Sequence, residues 1–104
     1  MTIQINTDKT ITGEERSSDF FSSQIKKALE RFESHITRIE VHLKDENGKK
    51  DGLKDISCLL EARLEGRQPI AITNQANTID LAVTGAIDKI KSAIETIIEK
   101  RQDH

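Results

Sequence analysis

Ile79, Val83, Ala86, Ile87, Ile90, Ile94 and Ile97 recur every three or four residues towards the end of the chain. Only an α-helix gathers that spacing onto one side. The pattern predicts a helix that Asn77 or Thr78 caps and that runs to about Lys100, roughly six turns with one apolar side needing cover. Upstream, the apolar period falls to two, the signature of strands with one buried face. Thr2-Ile3-Gln4-Ile5-Asn6-Thr7 reads as the first strand. In Ile36–Lys44, the second, Ile39, Val41 and Leu43 point inward while Arg38, Glu40, His42 and Lys44 point outward. The third, Asp55–Glu65, turns Ile56, Cys58, Leu60, Ala62 and Leu64 inward. Ser57, Glu61, Arg63 and Glu65 face out, and Leu59 is an apolar exception among them.

Gly66-Arg67 is suited to a tight turn into a fourth strand, Gln68–Thr73, which Pro69 confines to a sheet edge because proline donates no ladder hydrogen bond. Lys9–Arg16 reads as a loop. Beyond it, Phe20, Phe21, Ile25, Ala28, Leu29 and Phe32 form one apolar stripe, predicting a helix over about 19–34 capped by Ser17, Ser18 or Asp19. Asp45–Gly52 is rich in turn formers, and Asn47-Gly48 favours a reversing hairpin. The resulting order is β-α-β-β-β-α, an α+β class. We expect a two-layer fold, a four-stranded mixed sheet with both helices on one face and the other face open to water.

The chain has 104 residues, the size of one domain, so residues 1–104 are read as a single unit. That length favours a modest core over a large catalytic cavity. A lone Cys58 excludes an intramolecular disulfide, and neither a long apolar run nor a leader pattern is present, which together predict a cytoplasmic protein without a membrane partner. Glu14-Glu15 and Asp45-Glu46 fall in predicted loops without an apolar pocket to shift a pKa. His35, His42, His104 and Cys58 have no metal-ligand spacing, and Gly48-Lys49-Lys50 lacks the surroundings of a phosphate loop. No catalytic set, cofactor or small-molecule substrate is implied.

Sixteen basic and eighteen acidic side chains give a net charge of −2, so nucleic-acid binding would need a local cationic patch. With no Tyr or Trp and all three Phe on the helical stripe, the sheet offers no platform for stacking unpaired bases. Lys26, Lys27 and Arg31 cluster on the first helix, and Lys89, Lys91, Lys100 and Arg101 on the last. Glu30, Glu95 and Glu99 interrupt both groups, so a solvated face laced with i,i+4 pairs is the alternative to a patch. Lys44, Lys49, Lys50 and Lys54 in the hairpin are likewise interleaved with acids and read as solvated loop charge.

The element order combines with several local strings: Ile3-Gln4-Ile5, Ile36-Thr37-Arg38-Ile39-Glu40-Val41-His42-Leu43, the turn before strand four, and Ala86-Ile87-Asp88-Lys89-Ile90. Together they resemble the ribosome hibernation promoting factor and ribosome-associated inhibitor family, also described as sigma-54 modulation protein-like. Asp45-Glu46-Asn47-Gly48 and Cys58–Ile70 look like a short, divergent branch. The resemblance implies a factor that settles on the small ribosomal subunit and its rRNA, in the mRNA/tRNA channel, and silences idle ribosomes in stressed cells. It also implies contacts by Lys27, Lys89 in the Asp-Lys-Ile string, and Lys100. Lys26, Arg31, Lys91 and Arg101 join them as RNA-binding candidates, with Arg63 and Arg67 as further ones. Where familiar members carry Arg or Lys on the last helix, this chain has Ser92, Thr96 and Ile98. It also shows no C-terminal dimerisation extension, so pairing of ribosomes by that route is not implied. The rival expectation is a protein-interaction module that keeps the fold without binding RNA, its open sheet face and Pro69 edge meeting a protein or, weakly, a second copy of itself.

Overall fold

The computed structural model describes residues 1–7, 15–45 and 56–102, with the backbone alone at residues 7, 15–18, 45 and 100–102. The hairpin turn and its lysines 49, 50 and 54 lie outside the described residues. Strands β1 (Thr2–Thr7), β2 (Ile36–Asp45), β3 (Ile56–Leu64) and β4 (Ile70–Ala76) form one sheet in the order β1-β2-β3-β4. β1 runs parallel to β2, as a helical crossover allows, and the two later pairings are antiparallel. Helices α1 (Glu15–Ala28) and α2 (Ile79–Gln102) complete the expected order.

One core lies between the sheet and the helices. Its fully buried members include Ile25 and Leu29 from the first helical segment, Ile39 and Val41 from β2, Cys58 and Leu60 from β3, and Val83, Ile90 and Ile94 from α2. The predicted inward residues of β2 and β3 are buried, whereas Ile3 and Ile5 of β1 and Ile70 and Ile72 of β4, on the two outer strands, are only partly covered. Ser57, on the outer face, is nearly covered as well, flanked across the ladders by Lys44 and Gln75.

The first helix departs from its expected bounds. It begins at Glu15, so Ser17, Ser18 and Asp19 lie within it and cannot cap it, a role that requires non-helical backbone. It ends at Ala28, and a 3-10 segment, Glu30–His35, follows. There the Phe32 N–H donates to the Leu29 carbonyl at 2.9 Å, a tightening that keeps Phe32 buried. Phe20 was expected on the core stripe, yet it is 60% exposed, because successive helical residues point about 100° apart and Phe21 takes the inward position. The two rings meet edge to face at 5.6 Å.

β4 begins two residues later than expected and extends three further. Gly66, at φ 71°, and the Arg67 N–H donating to the Leu64 carbonyl close the turn before Pro69. Beyond Thr73, Asn74, Gln75 and Ala76 continue the ladder with Cys58, Ser57 and Ile56. Thr78 caps α2: its Oγ1 accepts from the Leu81 N–H at 3.1 Å and its carbonyl from Ala82 at 2.9 Å.

One close approach seats α2 on the edge strand. The Asn74 side-chain amide donates to the Leu81 and Ala82 carbonyls at 3.3 and 3.1 Å. It lies so near Gly85 that a Cβ there would overlap its Nδ2 and stand 2.8 Å from its Cγ. Gly85→Ala is therefore expected to destabilise the fold by about 1–2 kcal/mol, overpacking outweighing the gain in helix propensity. Urea unfolding should show this loss disappearing in an Asn74→Ala background, where the obstructing amide is gone.

Candidate nucleic-acid interface

Two contacts fix how the helices lie side by side. Near the middle of α1, Gln24 Nε2 donates to Thr84 Oγ1 at 3.3 Å. After its end, the Arg31 guanidinium pairs with Glu95 at 3.1 Å while lying 4.6 Å from the Phe32 ring centroid. Both contact sequences ascend together, so the helices run in the same direction. Residues at helical spacing between those ties share the facing sides. On α1 that residue is Lys27; on α2 they are Asp88 and Lys91. A groove between parallel helices is thereby flanked by one lysine on each wall.

Lys89 belongs elsewhere. Two residues from Lys91, it points about 160° away around the helix and descends over β4, where its Nζ donates to the Thr73 carbonyl at 3.1 Å. Lys26 is exposed beside Lys27, in a shallow hollow of about 250 Å³ that Ser23, Glu30 and Glu33 also line. Arg67 lies at the β3–β4 turn, exposed between two open hollows lined in part by Ser34 and His35 on one side and Gln68 and Ile97 on the other. Lys100 and Arg101 occupy the last turn of α2.

Arg63 is on the opposite side of the molecule. The register sets Arg38 across from Arg63 and Glu40 across from Glu61, like charges facing like. Such pairs destabilise a sheet unless diagonal partners neutralise them. Here Glu40 takes Arg38 at 3.6 Å and Arg63 at 3.9 Å, and Glu61 takes Arg63 at 3.4 Å. Arg38 also donates to Gln4, which reaches on to Asn6. The exposed sheet face thus balances its own charge.

The predicted cations therefore do not form one strip. Arg31, Arg63 and Lys89 hold internal partners, whereas among the described residues no carboxylate pairs with Lys26, Lys27, Lys91 or Arg67. Sequence reasoning missed the groove, since the side of α1 that faces α2 depends on the tertiary ties of Gln24 and Arg31. Of the three positions where the resemblance implies missing cations, Ser92 and Thr96 are exposed, the Thr96 hydroxyl donating to the Ser92 carbonyl, but Ile98 is core at 8% exposure. A cation at 98 would have to leave the stripe that continues from Ile94. Ile98→Lys is accordingly expected to lower stability by about 2–4 kcal/mol, measured as a fall in the denaturation midpoint.

No group of three His, Cys, Asp or Glu side chains that could hold a metal exists among the described residues, nor does any helix long and apolar enough to cross a membrane. Cys58 is sealed in the core, and burial pushes its thiol up to about 12 from 9.0. The folded state keeps the proton that the unfolded state releases, so this contribution to stability is complete below pH 9 and is lost as pH rises towards 12. The expected slope is at most about 1.4 kcal/mol per pH unit. Thiol reagents should label Cys58 only on unfolding, and Cys58→Ala should flatten the decline of urea midpoints between pH 8 and 10.

The sequence from residue 3 to residue 102 matches the model of the family described as Sigma 54 modulation protein / S30EA ribosomal protein. The chain belongs to that family. It is a family of ribosome-associated factors and not of enzymes. No individually curated protein sequence matches the chain. Among solved structures, the Thermus thermophilus Protein Y N-terminal domain is similar in fold, with a TM-score of 0.74 at 12% identity over 93% of this chain and 99% of that one. A ribosomal subunit interface protein from Coxiella burnetii aligns with a TM-score of 0.72 at 15% identity, covering 95% and 99%. At such identities the likeness concerns the fold, which it bears out.

Proposed function

We propose that this protein is a cytoplasmic ribosome-associated factor that binds the small subunit through its rRNA and blocks the mRNA/tRNA channel by occupying it. The family match across residues 3–102 carries the reading. The groove supports it with a place where a phosphate backbone can sit: Lys27 and Lys91 face it from either wall with no carboxylate partner among the described residues, and Lys26 stands beside it. Lys100 and Arg101 in the last turn of α2 extend the same helix. Arg67, at the β3–β4 turn, is a further candidate with no carboxylate partner among the described residues.

Steric occlusion needs no catalytic group; it needs affinity, and RNA affinity comes largely from cations that displace condensed counterions. Arg31 steadies the interface by tying the 3-10 segment to α2 through Glu95, and so acts on RNA indirectly. Arg63 and Lys89 contribute less, the first because it faces away from both helices and the second because the β4 edge holds it.

The protein should co-sediment with small subunits at low salt and be released as salt rises. Lys27→Glu with Lys91→Glu should abolish co-sedimentation. In the single variants, the slope of log affinity against log salt should shrink by roughly 0.7–0.9 for every phosphate left without its cation. A charge-reversed protein that still sediments with ribosomes would favour the rival, an interaction module that recognises a protein instead.

A further inference from the structure

Among the described residues, two large apolar side chains are exposed, Phe20 at 60% and Leu81 at 59%. The fold brings them to one place. Phe20 stands four residues before Gln24 and Leu81 three before Thr84, and Gln24 donates to Thr84. Both therefore lie about one turn beyond that tie, at the end of the groove where the two helices begin. Phe20 and Lys27 are seven residues apart, nearly two full turns and about 10 Å, on the same line of α1. The Phe21 ring meets that of Phe20 at 77°, an edge-to-face contact that covers at most one face of the exposed ring.

We propose that this patch seats one unpaired nucleobase of the RNA whose phosphates the lysines hold, the base stacking on the Phe20 ring with Leu81 beside it. The inference rests on the RNA reading above and adds an uncharged contact to it. One ring and one leucine fall far short of the roughly 800 Å² a side that a specific protein interface covers, yet they suit a single flat base. The patch also continues into the Lys27–Lys91 groove, and a cationic groove that tracks the backbone beside an aromatic ring is a means of holding single strands without regard to sequence. Exposed aspartates, Asp19 and Asp80, immediately precede the two apolar residues and disfavour a phosphate there. What fits that end of the groove is the uncharged part of a nucleotide. None of the four strands carries an aromatic residue, so the helical layer supplies the stacking surface that the sheet lacks.

Binding to purified small subunits across a range of salt separates the two kinds of contact. Phe20→Ala should weaken binding roughly tenfold and leave the slope of log affinity against log salt unchanged, because no phosphate loses its cation. Phe20→Leu keeps apolar area without a π face and should bind no better than Phe20→Ala, whereas Phe20→Trp should bind at least as tightly as the parent. The chain has no tryptophan, so Phe20→Trp also introduces a lone fluorophore. A single-stranded oligouridylate should quench it, and an abasic strand of equal length should not. Unchanged binding by Phe20→Ala, with the Lys27→Glu, Lys91→Glu variant still losing small subunits, would overturn this inference and leave the RNA reading standing; a parent that does not bind small subunits at low salt would overturn both. Full affinity in Phe20→Leu, or a tryptophan that the oligouridylate leaves unquenched, would assign the patch to a protein and overturn the inference as well.

Discussion

The seat of α2 on β3 and β4 determines which way the charges of that helix point. Its apolar stripe from Val83 to Ile98 closes the core, and the close approach of Asn74 to Gly85 fixes which side of the helix meets the edge strand. A helix has no freedom to rotate once one side is buried and one point on it lacks room for a methyl group. From that constraint, Lys89 falls over β4 and Lys91 towards α1, although only one residue separates them in sequence.

Much of this was legible in the sequence. Period-two alternation located the inward residues of β2 and β3, and the 3.6 period located α2, because burial of one face is what selects those patterns. The cap was recognisable as Asn77 or Thr78 from their place before the stripe, and the structure selects Thr78. The beginning of α1 was not, because residues 15–18 carry no apolar period, and helix can extend beyond its amphipathic part. Nor was the 3-10 segment, since Phe32 meets the stripe in either geometry. Phe20 shows the limit of reading hydrophobicity alone: its place on the helix carries it outside the stripe that Phe21, Ile25 and Leu29 bury. The end of β4 was hidden because Asn74 and Gln75 are poor strand formers, and tertiary pairing with β3 overrides propensity there.

The charges were legible as an inventory and illegible as an arrangement. Arg31, Lys89 and Arg63 look alike in sequence to Lys27 and Lys91, and nothing local announces that Glu95 lies across from Arg31 or that the Thr73 carbonyl lies beneath Lys89. Those partners arrive from elements dozens of residues away. A cationic side chain with such a partner meets RNA at a disadvantage, because it must exchange one favourable interaction for another, whereas an unpartnered lysine exchanges only water and counterions. The count of basic residues therefore overstates the surface available to a polyanion.

A net charge of −2 nevertheless does not forbid that surface. At physiological salt, exposed charges act over about 8 Å. A helix with its side chains is about 10–12 Å across, so the outer side of the helical layer lies beyond the screened reach of the sheet's far face. The acids Glu40 and Glu61 on that face are neutralised by Arg38 and Arg63 in any case, and their residual field is small. What an approaching phosphate feels is set by its immediate surroundings. At the groove those are Lys27 and Lys91, with Asp88 beside them on α2, Glu30 and Glu33 around the hollow that Lys27 lines, and Glu95 held by Arg31. What the fold offers a phosphate is therefore set by which cations keep no carboxylate partner among the described residues, and not by the net charge of the chain.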